Sequence, residues 1–136
     1  MRETRREVKT AMQSFFDHEK LRVYREAIEF VEWASDFQRE LPRKSVADQL
    51  DRASTSIPLN IAEGNGKFTS ADRCRYFDNA RGSALECAAC LDVCVAKRLA
   101  SADAILPGKE RLQAIVAMLV GLIKSNSDRI YETREV

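Results

Sequence analysis

Glycine and proline are so scarce in this chain that few places remain where it can turn. The 136 residues hold five glycines and three prolines, so long elements must separate the turns, which argues against a many-stranded sheet. Apolar residues recur at three-and-four spacing over most of the chain, the pattern of amphipathic helices. The sequence therefore predicts an all-α protein with one modest core.

Four segments carry this helical spacing, at about 17–41, 45–65, 70–99 and 108–132. Pro42 breaks the first segment, and Ser45 is the expected N-cap of the second. Ser70, or Thr69 before it, starts the third, and the fourth follows Pro107-Gly108. Because the loops are short, we expect an antiparallel up-down-up-down four-helix bundle over residues 17–136.

The third and fourth helices carry more apolar surface than the core of a single bundle requires. Val116, Val120 and Ile123 widen the apolar face of the fourth helix. The third has a second apolar seam, formed by Gly82, Leu85, Ala89, Val93 and Ala96. Leaving such side chains in water would cost several kcal/mol at ~25 cal/mol per Å². Burial against a second subunit removes this cost, so the sequence predicts a homo-oligomer.

Charge and hydropathy exclude several classes of protein. The formal net charge is +1, without the overall basic footprint of most nucleic-acid-binding modules. Residues 1–16 form a basic extension with mixed charges, which is interpreted as a frayed or solvated helix. No apolar run approaches the ~20 residues that span a bilayer, and the N-terminus lacks a secretory signal. A cytoplasmic protein is expected.

Catalytic motifs are absent from the sequence, which has no phosphate loop, nucleophile elbow or Walker-type lysine. We therefore expect neither an enzyme nor a cofactor. His18 is the one histidine and is interpreted as a surface or helix-start residue. A solvated acidic face accounts for Glu26, Glu29, Glu32 and Asp36.

The four cysteines all fall on the third helix, at Cys74, Cys87, Cys90 and Cys94. Zinc and iron–sulfur sites usually hold paired cysteines on tight turns. Here the thiols lie inside a helical pattern, where a free cysteine behaves as a small hydrophobe. No metal site is predicted, and a metal-binding bundle or helical enzyme is the least favoured alternative.

Positive charge is concentrated around the second and third helices. The candidates for nucleic-acid binding are Arg52, Lys67, Arg73, Arg75 and Arg81. Aspartates among them reduce the surplus in one chain, but an oligomer would repeat the patch and let several phosphate contacts act together. The alternative interpretation is an ordinary charged surface with salt bridges between subunits.

One run is specific enough to indicate a family, Ile57-Pro58-Leu59-Asn60-Ile61-Ala62-Glu63-Gly64. The run 80–86, Ala-Arg-Gly-Ser-Ala-Leu-Glu, follows at the expected distance, and residues 21–27 and 49–53 match as well. Residues 16–99 thus resemble the bacterial rRNA intervening-sequence proteins. The resemblance implies a four-helix bundle that assembles as a homopentamer, with no established enzymatic activity.

The same resemblance leaves two functions open. One is a noncatalytic scaffold associated with RNA or a ribonucleoprotein. The other is an accessory protein of a diversity-generating retroelement, since a similar pentameric bundle binds reverse transcriptase and nucleic acid there. Motif positions expected to serve structure or subunit contact are Tyr24, Ile57, Pro58, Asn60, Glu63, Gly64, Gly82, Ser83 and Glu86. Tyr24 stands where the family usually has tryptophan.

Pro58 is predicted to bend the second helix without ending it. The ring removes a bond to the carbonyl of Ser54 at roughly 3 kcal/mol, and the hydroxyls of residues 54–56 would reorganise around the freed carbonyls. Asn60 and Glu63 are expected to bond Arg52 or Arg81 of this chain or a neighbour. Residues 64–66, Gly-Asn-Gly, are expected to stop the helix through the left-handed region.

Gly82 is the other motif residue that needs a reason. In a helix interior, glycine costs about 1 kcal/mol relative to alanine. With Ser83 and Ala84 it forms a small-residue patch, which predicts that the backbone of another subunit packs closely here.

Overall fold

The computed structural model describes the backbone of residues 13–135 and the side chains of residues 13–127. Residues 1–12 of the predicted basic extension, which spans 1–16, lie outside the described residues. Within the described part, the protein has four α-helices and no strand. A 3₁₀ turn at Asp17–Lys20 precedes helices α1 (Arg22–Arg39), α2 (Lys44–Gly66), α3 (Ser70–Ala96) and α4 (Ala102–Glu135).

The helices pack around one core. α3 packs against both α2 and α4, and α1 packs against the same two helices. The largest fully buried side chains come from all four helices and include Phe30, Leu50, Ile57, Ile61, Phe77, Leu91, Leu112, Ile115 and Leu119. They occupy the seams that the three-and-four spacing predicted. No helix among the described residues is long and apolar enough to cross a membrane.

The predicted starts of the first two helices differ from the structure. Leu21 is extended, with φ −71° and ψ 128°, so it separates the 3₁₀ turn from α1. α2 begins at Lys44 after the extended Arg43, and Ser45 therefore lies within the first turn instead of capping it. The Thr69 alternative for α3 is confirmed, since its hydroxyl accepts the N–H of Asp72 at 3.2 Å.

α4 begins at Ala102, so the prediction that it follows Pro107-Gly108 was wrong. The hydroxyl of Ser101 accepts the N–H of Ala104 at 3.1 Å and caps the helix before the proline. Gly108 is buried, and a Cβ built on it would lie 2.4 Å from the indole of Trp33. This glycine therefore serves close packing between α4 and α1, not a turn.

α2 continues through the buried Pro58, as predicted. The hydroxyls of Ser54 and Thr55 both donate to the carbonyl of Asp51, at 3.1 and 2.8 Å. Ser56 instead bonds Ser83 of α3 at 2.8 Å between the two hydroxyl oxygens. The polar side chains before the proline thus bond the preceding turn and the neighbouring helix.

The predicted left-handed stop after Gly64 was wrong, because no glycine among the described residues has a positive φ. α2 runs on to Gly66 and ends where Lys67 becomes extended. Gly64 is buried against α3, and a Cβ on it would lie 2.9 Å from two ring carbons of Phe77. It is therefore a packing residue that lets α2 approach α3.

We expect Gly64→Ala to lower the free energy of unfolding by about 1–3 kcal/mol, since the new methyl group must displace the Phe77 ring from a packed core. Gly66→Ala is the matched control. In the part of the chain that the structure describes, nothing lies within 4 Å of a Cβ there, so helix propensity should leave this variant as stable as the parent or up to ~1 kcal/mol more stable. Urea unfolding at one fixed protein concentration measures both, and equal stabilities would contradict the packing role.

Candidate functional site

The connection between α2 and α3, residues 67–69, is fixed from both of its ends. Arg73, in the first turns of α3, reaches back and donates from Nη1 to the carbonyl oxygens of Asn65 at 2.6 Å and Lys67 at 3.4 Å. These carbonyls form the negative end of α2, where a guanidinium is favourable. The Thr69 cap holds the other end. The connection is therefore short and tightly held.

Arg73 also ties this connection to α4. Its Nε donates to Oδ1 of Asn126 at 3.0 Å, and the buried Asn126 donates in turn to the carbonyl of Leu122 at 2.8 Å. The guanidinium carbon lies 5.7 Å from the centre of the Phe77 ring. The structure thus commits this predicted nucleic-acid-binding residue to contacts inside the chain, joining α2, α3 and α4.

Two other predicted cations meet at the surface beside this connection. Nζ of Lys67 lies 4.9 Å from the centre of the Tyr76 ring, and the guanidinium carbon of Arg75 lies 5.1 Å from the same centre. Between them in sequence, Phe68 is fully exposed, at 104% of its reference area. We call Lys67, Phe68, Arg75 and Tyr76 the tip cluster.

The electrostatic balance of the tip cluster is positive. Asp72 is 3.8 Å from Arg75, and both side chains are more than half exposed, so this ion pair is weak. No carboxylate pairs with Lys67 within residues 13–127. Lys67 and Arg75 on the half-buried Tyr76 ring provide the charge that binds phosphate, and the exposed Phe68 provides the flat apolar face on which a base stacks.

Further aromatic side chains lie at the same end of the molecule. The side-chain amide of Asn65 donates to Asp17 at 3.0 Å and so links the end of α2 to the 3₁₀ turn. Phe15 and Phe16, just before that turn, are exposed. Glu19 accepts the N–H groups of both, which lowers the pKa of its carboxyl.

Arg52 and Arg81, the remaining predicted cations, do not join the tip cluster. Arg81 pairs with Asp78 of its own helix at 3.0 Å. Arg52 and Glu63 are exposed and line one shallow surface pocket on α2. Asn60 donates to the carbonyl and hydroxyl oxygens of Ser56, both at 2.9 Å. The predicted bonds to arginine are therefore not made within the described chain, and bonds to a neighbouring chain stay a prediction.

The second apolar seam of α3 lies on the outside of the described chain. All five of its positions, Gly82, Leu85, Ala89, Val93 and Ala96, are exposed, and we call them the α3 stripe. Leu85 and Val93 are 47% and 41% exposed. A groove of about 420 Å³ runs beside the stripe, between α3 and α4, and includes the exposed Leu106. A Cβ on Gly82 would meet no atom of the described residues within 4 Å.

Three of the four cysteines lie in the core, as expected for free thiols that behave as small hydrophobes. Cys87, Cys90 and Cys94 are buried, and Cys74 is half-buried beside the carbonyl of Ile123 at 3.6 Å. Burial raises the pKa of Cys87 to about 12 and raises those of Cys90 and Cys94 in the same direction. Among the described residues, no group of three potential metal ligands comes together.

The remaining motif and acidic residues divide between core and surface. Ile57 is fully buried, Tyr24 is half-buried with its ring edge-on to His18 at 4.7 Å, and Glu86 is exposed. Burial raises the pKa of the Tyr24 hydroxyl. The predicted acidic face was wrong for Glu29, which forms a largely buried ion pair with Arg111 of α4 at 3.4 Å.

Phe68 is the site residue that the sequence analysis missed. Its signal was present, because an aromatic residue follows a lysine in the run Gly-Asn-Gly-Lys-Phe-Thr-Ser, residues 64–70, which contains the connection. Interleaved basic and aromatic residues in a loop are typical of nucleic-acid-binding surfaces. Helical spacing alone does not reveal such a residue.

Two of the three comparisons with known proteins found similar proteins. A family model described as 23S rRNA-intervening sequence protein matches residues 19–121. Among solved structures, a protein of unknown function from the S23 ribosomal protein family of Bacteroides thetaiotaomicron VPI-5482 superposes with a TM-score of 0.70. The two chains are 21% identical, over 75% of this chain and 98% of the other, so this likeness supports the fold alone. The comparison with curated proteins found no match.

Proposed function

Because this chain belongs to the 23S rRNA-intervening sequence protein family, as its motifs indicated, we propose that it is a noncatalytic homo-oligomeric helical scaffold that associates with RNA or a ribonucleoprotein. The observation that carries the RNA role is the tip cluster. Lys67 and Arg75 place two cations on the Tyr76 ring beside the exposed Phe68. Such a surface favours phosphates and bases over an apolar or cationic partner.

Assembly multiplies this local charge. With a net charge of +1, one chain has little long-range attraction for RNA, whereas several tip clusters on one particle would bind several phosphates together. We propose an antiparallel up-down-up-down bundle, since short connections at 40–43, 67–69 and 97–101 join helices that pack side by side. The pentameric number rests on the family resemblance.

The α3 stripe is the proposed contact between copies of this chain. Gly82 supports a second copy as the occupant, because glycine weakens an exposed helix by about 1 kcal/mol and nothing within the described chain requires it. A helix of a neighbouring copy packed closely on this position would require a residue without a side chain. The exposed Leu85 and Val93 would be buried in the same contact.

RNA binding tests the proposal through the cations of the tip cluster. We expect the parent protein to bind single-stranded RNA, with affinity that falls as salt rises. The variant Lys67→Ala/Arg75→Ala should bind more weakly and show a salt slope reduced by about 0.7 for each phosphate that it no longer neutralises. Fluorescence anisotropy of labelled RNA over a salt series measures both quantities.

Arg39→Ala/Arg43→Ala is the charge-matched control for this measurement. Both residues are exposed and lie at the connection between α1 and α2, separated from the tip cluster by the full length of α2. The control should bind RNA as the parent does. Equal weakening in the two double variants would argue against a role for the tip cluster, and absence of salt-dependent binding by the parent would contradict the RNA role itself.

The alternative of a retroelement accessory protein rests on the resemblance alone. Neither the helices, the tip cluster nor the matched family favours a reverse transcriptase as partner over another ribonucleoprotein. We therefore propose no second function.

A further inference from the structure

We propose that the tip cluster binds single-stranded RNA by stacking an unpaired base on Phe68, while Lys67 and Arg75 contact the neighbouring phosphates. This inference rests on the proposed RNA role and specifies the form of RNA that the same surface takes. Two features of the cluster support it, the exposure of the Phe68 ring and the arrangement of the cations around Tyr76.

Phe68 projects fully into solvent from a connection that is held in place. Arg73 binds the carbonyls before it, and the Thr69 cap begins α3 directly after it. The ring is fully exposed. A polar residue at position 68 could join α2 and α3 without loss to the core, so packing does not require an aromatic residue there. A fixed apolar ring in water gains most from a flat partner that covers its face.

The aromatic face of Tyr76 is less available than that of Phe68. Lys67 and Arg75 lie 4.9 and 5.1 Å from its centre, so cations already contact this ring. The Tyr76 ring therefore organises the positive charge, and Phe68, which directly follows Lys67 in the chain, supplies the free stacking surface. This division of roles matches the pairing of aromatic platforms with backbone-tracking cations in single-strand binding.

Unpaired RNA fits this arrangement better than duplex RNA. In a duplex the bases are already stacked on one another, and proteins contact mainly its phosphates and 2′-hydroxyls. Phosphate contacts alone would use Lys67 and Arg75 and leave Phe68 in water. An unpaired base would use all three side chains.

Two substitutions at position 68 separate stacking from general apolar contact. Phe68→Leu keeps an apolar side chain but removes the aromatic face, and Phe68→Trp keeps an aromatic face. The probe is a fluorescently labelled short oligouridine, whose bases stack weakly on one another, and a duplex of equal length is the second probe. Anisotropy titrations at fixed salt give the affinities.

We expect Phe68→Leu to weaken oligouridine binding about tenfold, which is within the range for loss of one stacked base. Phe68→Trp should retain the parent affinity, and duplex binding should be unchanged in both variants. Since Phe68 is fully exposed, thermal unfolding followed by circular dichroism should be the same for all three proteins. The salt slope should not change either, because no cation is removed.

The other outcomes are each informative. If Phe68→Leu binds oligouridine as the parent does while Lys67→Ala/Arg75→Ala binds weakly, the stacking inference fails and the proposed RNA role stands. If Phe68→Leu weakens single-strand and duplex binding equally, the preference for unpaired bases is wrong. If the parent binds neither probe in a salt-dependent way, the inference and the proposed function fail together.

Discussion

The Arg73→Met protein is expected to lose about 3 kcal/mol of its free energy of unfolding. Methionine keeps an unbranched apolar stem against Phe77 but lacks the N–H donors of the guanidinium. The carbonyls of Asn65 and Lys67 therefore lose their charged partner. Oδ1 of the buried Asn126 loses its partner too. Hydrogen bonds to charged groups contribute roughly 1.5–3 kcal/mol each, and orphaned buried acceptors add a further penalty.

Arg75→Met, two residues away on the same helix, is the control for this prediction. Arg75 is exposed, and within residues 13–127 its side chain makes only the 3.8 Å contact with Asp72 in addition to its contact with Tyr76. Its loss should therefore change stability by no more than about 0.5 kcal/mol. Urea unfolding at one protein concentration compares the two variants. Similar losses in both would contradict the internal role of Arg73.

The contrast also decides how RNA-binding data on Arg73 are to be interpreted. A variant at this position loosens the connection that carries Lys67 and Phe68, so it would weaken binding without a phosphate contact of its own. The affinity of such a variant for RNA should therefore rise when the temperature or the urea concentration is lowered, because the connection then re-forms. Arg75 variants should show no such dependence.

Helical spacing predicted the fold well because one physical requirement, burial of an apolar seam, fixes most of it. Phe77 and Leu91 of α3 and Leu119 of α4 are fully buried, as that spacing predicted. The buried Ile105 lies before the predicted start of α4 and was not predicted. The errors lie at the ends of helices, where local hydrogen bonds decide. Pro107 suggested a start for α4, yet the hydroxyl of Ser101, six residues earlier, caps the helix, and the proline is accommodated within it.

The glycines show a second limit of sequence reasoning. Gly64 was interpreted as part of the stop of the second helix, and Gly108 as a marker of the start of the fourth, because glycine is common at the ends of helices. In the structure both are helical and face aromatic rings, Phe77 and Trp33, which leave no room for a Cβ. Close packing between distant residues of the chain cannot be deduced from one sequence without knowing which helices meet.

The sequence predicted which cations could form the candidate site, but not how they are arranged. The sequence identified the cations of the second and third helices, but it gave no means of separating Arg73, which bonds inward, from Lys67 and Arg75, which lie at the surface. The choice depends on where the end of α2 lies relative to α3 and α4. Phe68 was missed because apolar residues were considered only as parts of helical seams. A single aromatic residue in a loop is not part of any seam.

The α3 stripe leads to the prediction with the largest expected effect. If Leu85 and Val93 are buried between copies, Leu85→Glu/Val93→Glu would place unpaired carboxylates in an apolar contact, at a cost of several kcal/mol. We expect the association constant to fall by more than about a thousandfold, since each 1.4 kcal/mol is a factor of ten. Sedimentation velocity at micromolar concentration should show an oligomer for the parent and a monomer for the variant.

A control variant distinguishes loss of assembly from added charge. Ala104→Glu places a carboxylate at an exposed position near the start of α4, next to the surface pocket of Trp33, Arg39 and Glu40 and outside the α3 stripe. It should sediment as the parent does, and circular dichroism should show the parent's helix content in both variants.

Since Leu85 and Val93 contribute no fully buried side chain to the core, a separated chain keeps its own packing. A parent that sediments as a monomer would contradict the assembly, and a double variant that still associates would move the interface away from the α3 stripe, leaving Gly82 without an explanation.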